Sequence, residues 1–201
     1  FFFPVHNVED CFEKFALQAL FVLKKVSNKY ELIMIEDGST DGSKKVVEKL
    51  MREHGKENLK AIYHKANLGY GPTLTEGFYV SKYEWIAMVD SDAQFDVTEL
   101  PKLIEKAKEG YDGVTGYRIE RQDPPIRKAA GYVWTMLNNI LFGLNLKDVD
   151  CGFKLVKKEV IDTIPHLESQ RGAMINPEIW AKAEKFGFKV GQVGVHHFSR
   201  G

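Results

Sequence analysis

The sequence predicts a Rossmann-like α/β fold in one domain, a mostly parallel central sheet with helices on both faces. Three observations predict it. Apolar runs of strand length alternate with segments of helical periodicity, the order that a crossover-connected parallel sheet requires. Two of the runs, at 30–35 (YELIMI) and 85–89 (WIAMV), are apolar without alternation, as strands covered on both faces are. Polar and acidic turn residues follow the first four strand candidates, at the edge where such sheets bind ligands.

The elements follow in order. Residues 1–5 (FFFPV) form the first strand, and a helix over 8–25 carries Phe12, Phe15, Ala16, Ala19, Leu20 and Leu23 at helical spacing. After the strand at 30–35, Ser39-Thr40-Asp41-Gly42 supplies capping side chains to a helix over 42–53. Strands at 59–64, 85–89, 114–117, 153–156 and 189–196 alternate with helices at 72–81, 97–109, 127–144, 157–163 and 177–186.

Composition narrows the function. A chain of 201 residues, 44% apolar and 28% charged, is one ordinary globular domain. Lys and Arg total 28, as do Asp and Glu, so the basic surplus of a dedicated nucleic-acid binder is absent. Cys11 and Cys151 make neither a disulfide framework nor a zinc site, and a reducing compartment is the simplest reading. No apolar run reaches the roughly 18 residues that would span a bilayer. Phe1 and Gly201 are abrupt ends, and the chain reads as a domain cut from a longer protein at both termini.

The strand ends carry the chemistry. Asp90-Ser91-Asp92 follows a buried run. In extended backbone residues i and i+2 point the same way, so both carboxylates face one spot. Two like charges that close call for a cation. All-oxygen ligands suit Mg²⁺ or Mn²⁺, with positions left for substrate phosphates. Gln94, at the same parity, offers a third oxygen. Asp37 ends another buried strand and can accept from a nucleobase N–H. Asp41 either joins it or only caps the next helix. Asn67-Leu68-Gly69-Tyr70-Gly71 places glycines and N–H groups near phosphate, although the dinucleotide fingerprint GxGxxG is missing. Arg118, Arg121, Arg127, Lys128 and Arg200 sit on later loops or their flanks. Arginines there would suit a phosphate-bearing acceptor.

Pro4-Val5-His6-Asn7-Val8-Glu9, Glu36-Asp37-Gly38-Ser39-Thr40-Asp41-Gly42, Asn67-Leu68-Gly69 and Asp90-Ser91-Asp92-Ala93-Gln94 together resemble, in that order, the family 2 glycosyltransferases of the GT-A fold. Gly116-Tyr117-Arg118, Arg127, Asp150-Cys151-Gly152-Phe153-Lys154 and the terminal His196-His197-Phe198-Ser199-Arg200-Gly201 resemble the dolichyl-phosphate mannosyltransferase and polyprenyl-phosphate glycosyltransferase branch. The resemblance implies that Pro4, His6, Glu9, Asp37, Asn67, Gly69 and Asp90 hold the donor nucleotide. Asp90, Asp92 and Gln94 would hold Mg²⁺ or Mn²⁺ on its diphosphate. Arg118, Arg127 and Arg200 would hold the acceptor phosphate, with Asp92, Arg118 and Arg127 the catalytic set. His6 stands where Tyr is common in the family, and Val8 where Glu is common. The implied reaction is inverting transfer of a sugar from a UDP- or GDP-linked donor to a polyprenyl or dolichyl phosphate, at the cytoplasmic face of a membrane.

A hydroxyl acceptor needs a general base, whereas a phosphate oxygen is already anionic near neutral pH. Met174-Ile175-Asn176-Pro177-Glu178 lacks the family's acidic pair, which favours the phosphate. Glu178 remains either a base or a brace. The helix over 127–144 has Val133, Leu137, Ile140, Leu141 and Leu144 on one face. The favoured expectation is that this face packs on the core or on another subunit; the alternative is an interfacial helix meeting lipid. Of His196 and His197, one at most faces the site. The rival functions are a family 2 enzyme acting on a saccharide or protein hydroxyl, and a nucleotide-binding relative without turnover.

Overall fold

A computed structural model describes residues 1–55, 58–119, 124–170 and 172–199. The opening aromatic run forms β1 (Phe2–Val5), and α1 (Phe12–Val26) leads to β2 (Leu32–Glu36). Then α2 (Ser43–His54) connects to β3 (Leu59–Tyr63), and α3 (Tyr70–Val80) to β4 (Trp85–Val89). Next come α4 (Leu100–Lys108), β5 (Gly113–Ile119), α5 (Pro125–Phe142) and β6 (Phe153–Lys157). The described chain closes with α6 (Lys158–Thr163), α7 (Ile175–Lys185) and β7 (Val190–His196).

Among the described residues the strands make one sheet in the order β3-β2-β1-β4-β6-β5-β7. The pairs β1–β2, β1–β4, β2–β3 and β5–β7 are parallel, while β6 runs antiparallel to both β4 and β5. That single reversal matters for function. It brings Phe153, the first residue of β6, opposite Val89, the last of β4. Residues 148–152 therefore arrive at the edge where β1, β2, β3 and β4 end.

Two cores explain the unalternating strands. Phe1, Phe3, Val5, Leu32 and Met34 pack on α1, α2 and α4 through Phe12, Phe15, Val47 and Leu103. Phe2, Ile33 and Ile35 pack on the other face with Leu74, Phe78, Ile179 and Trp180. Both faces are covered, so both parities are apolar.

Three expected helices differ in detail. The first begins at Phe12 rather than residue 8, because Asn7 takes φ 52° and the Val8 amide donates to Ser43 Oγ at 2.7 Å. The segment 97–109 divides: Asp96 Oδ1 accepts from the Thr98 amide at 2.9 Å and caps a 3₁₀ turn, Val97–Glu99, ahead of α4. The helix expected over 127–144 is α5, and Gly143 at φ 71° stops it. Within this chain α5 buries only Thr135 and Asn138, while Tyr132 and Leu141 are each 72% exposed. Of the expected apolar face only Leu144 packs on the core; Val133, Leu137, Ile140 and Leu141 are exposed within this chain, so core packing is corrected for those four. An apolar stripe reports that a face wants cover and is silent on what covers it.

Candidate active site

A cavity of about 300 Å³ opens at the carboxyl edge of the sheet. The end of β1 contributes Pro4, Val5, His6 and Val8, and the end of β2 contributes Asp37. The loop after β3 and the start of α3 add Asn67, Gly69, Tyr70 and Thr73. Asp90, Ser91 and Asp92 follow β4. Pro4, His6, Asp37, Asn67, Gly69, Asp90 and Asp92, expected together from the sequence, thus share one cavity.

Asp37 is buried. Its Oδ1 accepts from the Leu68 amide at 2.8 Å and meets His64 Nδ1 at 2.7 Å, and its Oδ2 accepts from the Gly69 amide at 2.9 Å. Burial alone would raise this carboxyl, but the bonds from His64, Leu68 and Gly69 outweigh it and hold it below the usual carboxylate range. Gly38 permits the loops to meet. It sits at φ 60° with the Ala66–Asn67 backbone where a Cβ would be. His6 Nδ1 lies 2.9 Å from the Asp37 carbonyl oxygen, and its Nε2 lies 2.9 Å from Asn67 Nδ2.

Asp90 and Asp92 differ. Burial pushes the Asp90 carboxyl up to about 6; Asp92 pushes the same way, while Lys154 and the Tyr70 hydroxyl pull down. That hydroxyl donates to Asp90 Oδ1 at 2.8 Å. The Gly152 carbonyl accepts from the Asp90 amide at 3.0 Å, and the space of a Gly152 Cβ is filled by the Asp90 carboxylate. Asp92 is half-buried, and its Oδ1 accepts from the Gln94 amide at 3.1 Å. Beneath them lies Lys154, 1% exposed, with its ammonium bonded to the Cys151 carbonyl and charged neighbours Asp90, Asp148 and Asp150. Burial lowers its pKa against those acids. Asp150 Oδ1 and Asn176 Oδ1 are buried without a hydrogen-bond partner.

These residues fit a hard divalent cation. The donors are carboxylate oxygens, one of them raised by burial and by its acidic neighbour, the condition that a cation relieves. Among the described residues no group of three His, Cys, Asp or Glu gathers to hold a metal. Two carboxylates would leave most positions of such an ion to water and substrate phosphate.

Several expected residues lie elsewhere. Glu9 does not line the cavity: its Oε2 accepts from the Gly42 amide at the amino end of α2, while Asp41 Oδ1 accepts from the Ser43 amide at 2.9 Å. That helix has no acid in its own first turn, so Glu9 and Asp41 satisfy its orphan donors. Gln94 is turned away because Ala93, at φ 57°, breaks the extended backbone on which the parity argument rested. Its Nε2 donates to the Phe198 carbonyl at 3.0 Å. Arg118 is not at the cavity wall. Its Nε and Nη2 reach Asp148 Oδ2 and Oδ1 at 2.6 and 2.7 Å, since a guanidinium this buried needs a paired acid. Arg127 is exposed in the first turn of α5. Arg121 and Arg200 lie outside the described residues.

His196 Nδ1 is 2.8 Å from Glu99 Oε1, and the His197 ring packs 5.2 Å from that of Phe95. Neither histidine lines the cavity. Glu178 is a brace. Its carboxylate accepts from the Glu168 amide at 2.8 Å, the Ser169 amide at 2.9 Å, the Ser169 hydroxyl, and Lys182 Nζ at 2.6 Å. The reading of the sequence missed His64, Tyr70, Asp148 and Lys154 as residues built into this site. Two of them left a signal: Tyr70 lies in the Asn67–Gly71 motif, and Lys154 closes the Asp150–Lys154 motif as a lysine inside the apolar strand FKLV.

Fold and site define an α/β domain of GT-A architecture with an acidic cleft of about 300 Å³ at the strand ends. The chain belongs to glycosyl transferase family 2, whose family model matches residues 1–164. It is 27% identical over 197 residues to the undecaprenyl-phosphate 4-deoxy-4-formamido-L-arabinose transferase of Shewanella sediminis (strain HAW-EB3), covering 98% of this chain and 58% of that protein. The enzyme of the same name from Enterobacter sp. (strain 638) is 28% identical with the same coverage. The chain thus spans less than two thirds of the length of these curated relatives. Glucosyl-3-phosphoglycerate synthase from Mycobacterium tuberculosis, solved with phosphoglyceric acid, superposes with a TM-score of 0.74 at 16% identity, covering 100% of this chain and 71% of that one. The same enzyme solved with Mn²⁺, UDP-glucose and glycerol 3-phosphate gives 0.72 at 15% identity, covering 100% and 70%. These two show the shared fold.

Proposed function

We propose that the chain is the catalytic domain of an inverting, metal-dependent glycosyltransferase that moves a sugar from a nucleotide-diphosphate donor to a polyprenyl or dolichyl phosphate. Glu178 carries the choice of acceptor. It is the one acid in the segment 174–178, where a base for a hydroxyl acceptor is expected, and four donors from the protein already occupy its carboxylate. A phosphate acceptor needs no base, so position, charge neutralisation and stabilisation of the leaving diphosphate suffice. The relatives named above, whose names specify undecaprenyl phosphate, support the same acceptor.

In this reading the nucleotide lies along Pro4, His6, Asp37 and Asn67, and its diphosphate reaches Asp90 and Asp92. Those two acids would hold Mg²⁺ or Mn²⁺, which supplies charge neutralisation at the leaving diphosphate. Arg118, whose guanidinium is oriented by Asp148, and Arg127 would hold the acceptor phosphate; Arg200, the third candidate from the sequence, lies outside the described residues. The deciding experiment incubates the full chain with Mn²⁺ or Mg²⁺, UDP- and GDP-sugars, and either undecaprenyl phosphate or the corresponding alcohol. Products are read by mass spectrometry. A glycosyl phospholipid supports the proposal. Transfer to the alcohol alone overturns the acceptor, and no donor consumption overturns the enzyme.

Glu178→Gln sharpens the test. The variant should lose on the order of 2 kcal/mol of stability with its charge-assisted bonds, yet keep kcat within about threefold once folded. A thousandfold fall in kcat with the melting temperature held would make Glu178 the base and a hydroxyl the acceptor.

Membrane contact is part of the proposal, through α5. Among the described residues no helix is long and apolar enough to cross a bilayer. The exposed Ile126, Tyr132, Ile140, Leu141 and Phe142 of α5, with Arg127 and Lys128 in its first turn, suit a helix lying in the headgroup zone. Its placement at the cytoplasmic face follows from the donor. Ile140→Glu/Leu141→Glu should cut co-sedimentation with anionic vesicles by about tenfold or more, the loss of two buried aliphatic side chains, and leave nucleotide binding intact. Undiminished sedimentation would remove α5 from the membrane.

A further inference from the structure

Asp37, His64 and Glu76 form a chain that the donor pocket does not by itself account for. His64 stands just past the end of β3, where its amide donates to the Glu36 carbonyl at 2.9 Å. Its side chain is 8% exposed. Nδ1 lies 2.7 Å from Asp37 Oδ1 and Nε2 lies 2.6 Å from Glu76 Oε2. A neutral imidazole has one N–H, so it can serve one of these oxygens and must turn a lone pair to the other. Only the imidazolium satisfies both. Asp37 in turn accepts from the Leu68 and Gly69 amides, and Gly69 leads straight into α3, which carries Glu76. One ring thus ties the end of β2, the loop 65–69 and α3 together.

We propose that His64 is a positioning residue which, as an imidazolium between Asp37 and Glu76, clamps the Asn67–Gly69 loop onto the sheet edge and so sets one wall of the donor pocket. The clamp itself is a property of the fold; only its consequence for nucleotide rests on the donor reading above.

The clamp depends on pH. The titratable groups facing His64 are Asp37 from the end of β2 and Glu76 from α3. His6 meets the backbone carbonyl of Asp37 rather than His64. Burial would lower the His64 pKa, but its bonds to Asp37 and Glu76 outweigh burial and raise it above 6.5. A raised histidine holds its contribution at low pH and loses it as pH rises through the folded pKa.

The test reads the loop with and without ligand. Amide hydrogen exchange at Leu68 and Gly69 is followed by NMR from pH 5.5 to 8.5. Binding of UDP and GDP with Mn²⁺ is followed by calorimetry over the same range. His64→Gln should speed exchange at Leu68 and Gly69 about tenfold while Ile86 and Met88 in mid-sheet stay protected, and weaken nucleotide about tenfold. His64→Arg, charged throughout, should keep the affinity and flatten its alkaline fall. Glu76→Gln should move that fall to lower pH. Unchanged exchange at Leu68 and Gly69 in His64→Gln, or an alkaline fall surviving in His64→Arg, overturns the clamp. Faster exchange in a protein that binds neither nucleotide supports the clamp and overturns the donor reading instead.

Discussion

Asp92→Asn should lower transfer by roughly a thousandfold, the scale of losing a preorganised charge at a developing anion, and leave the melting temperature within about 2 °C. The two halves of that expectation have separate causes. Asp92 faces the cavity beside Asp90, so its negative charge helps attract a divalent ion and through it the donor diphosphate. Within the fold it accepts from the Gln94 amide, and asparagine keeps an oxygen there. Asp90 would make a poorer probe. Its carboxylate is bound to the Tyr70 hydroxyl, packed on Gly152 and balanced by Lys154, so a substitution there mixes catalysis with folding. The measurement is kcat across a Mn²⁺ titration, paired with a thermal melt. Partial recovery at high Mn²⁺ would still mark Asp92 as a cation ligand. Unchanged turnover at every concentration would remove the metal assignment from this acid.

The sequence made the strand and helix order legible because both cores of the sheet write themselves as apolar runs, and strand ends write themselves as turn residues. That was enough to gather Pro4, His6, Asp37, Asn67, Asp90 and Asp92 at one edge. The direction of β6 left no such trace. A buried strand has the same pattern whichever way it runs, so Asp148, Asp150 and Lys154 were not foreseen beside Asp90. Gln94 was misplaced by one dihedral, the positive φ of Ala93, a residue type that gives no warning of that conformation. Glu9 was misplaced for a different reason. A carboxylate near a cleft and a carboxylate completing a helix end have the same sequence signature, and only the contact with Gly42 separates them. His64 joins residues 37 and 76 through space, a relation without a sequence period. The apolar face of α5 was visible from the start, but its exposure is a fact of tertiary structure.

Lys154→Met tests the least exposed charge in the site. The side chain lies on β6 opposite Met88, and methionine matches its length without its charge. Arg118 would still pair Asp148. Asp90 and Asp150 would lose the ammonium that now opposes their repulsion. Removing one member of a buried charged group costs about 3–5 kcal/mol, which for a domain of this size is a fall on the order of 10 °C. The sign of its pH dependence follows from Asp90. Its folded pKa, already about 6 by burial, should climb further without Lys154. An acid whose pKa is higher folded than unfolded favours the fold while protonated and disfavours it as pH rises through that interval. The variant should therefore recover much of its deficit at pH 5 and be weakest near pH 8. Mn²⁺ should raise its melting temperature more than that of the unaltered chain, since a divalent cation replaces the missing charge. An equal deficit at pH 5 and pH 8, with no added response to Mn²⁺, would mean that Lys154 acts by filling space and that Asp90 is balanced by other charges.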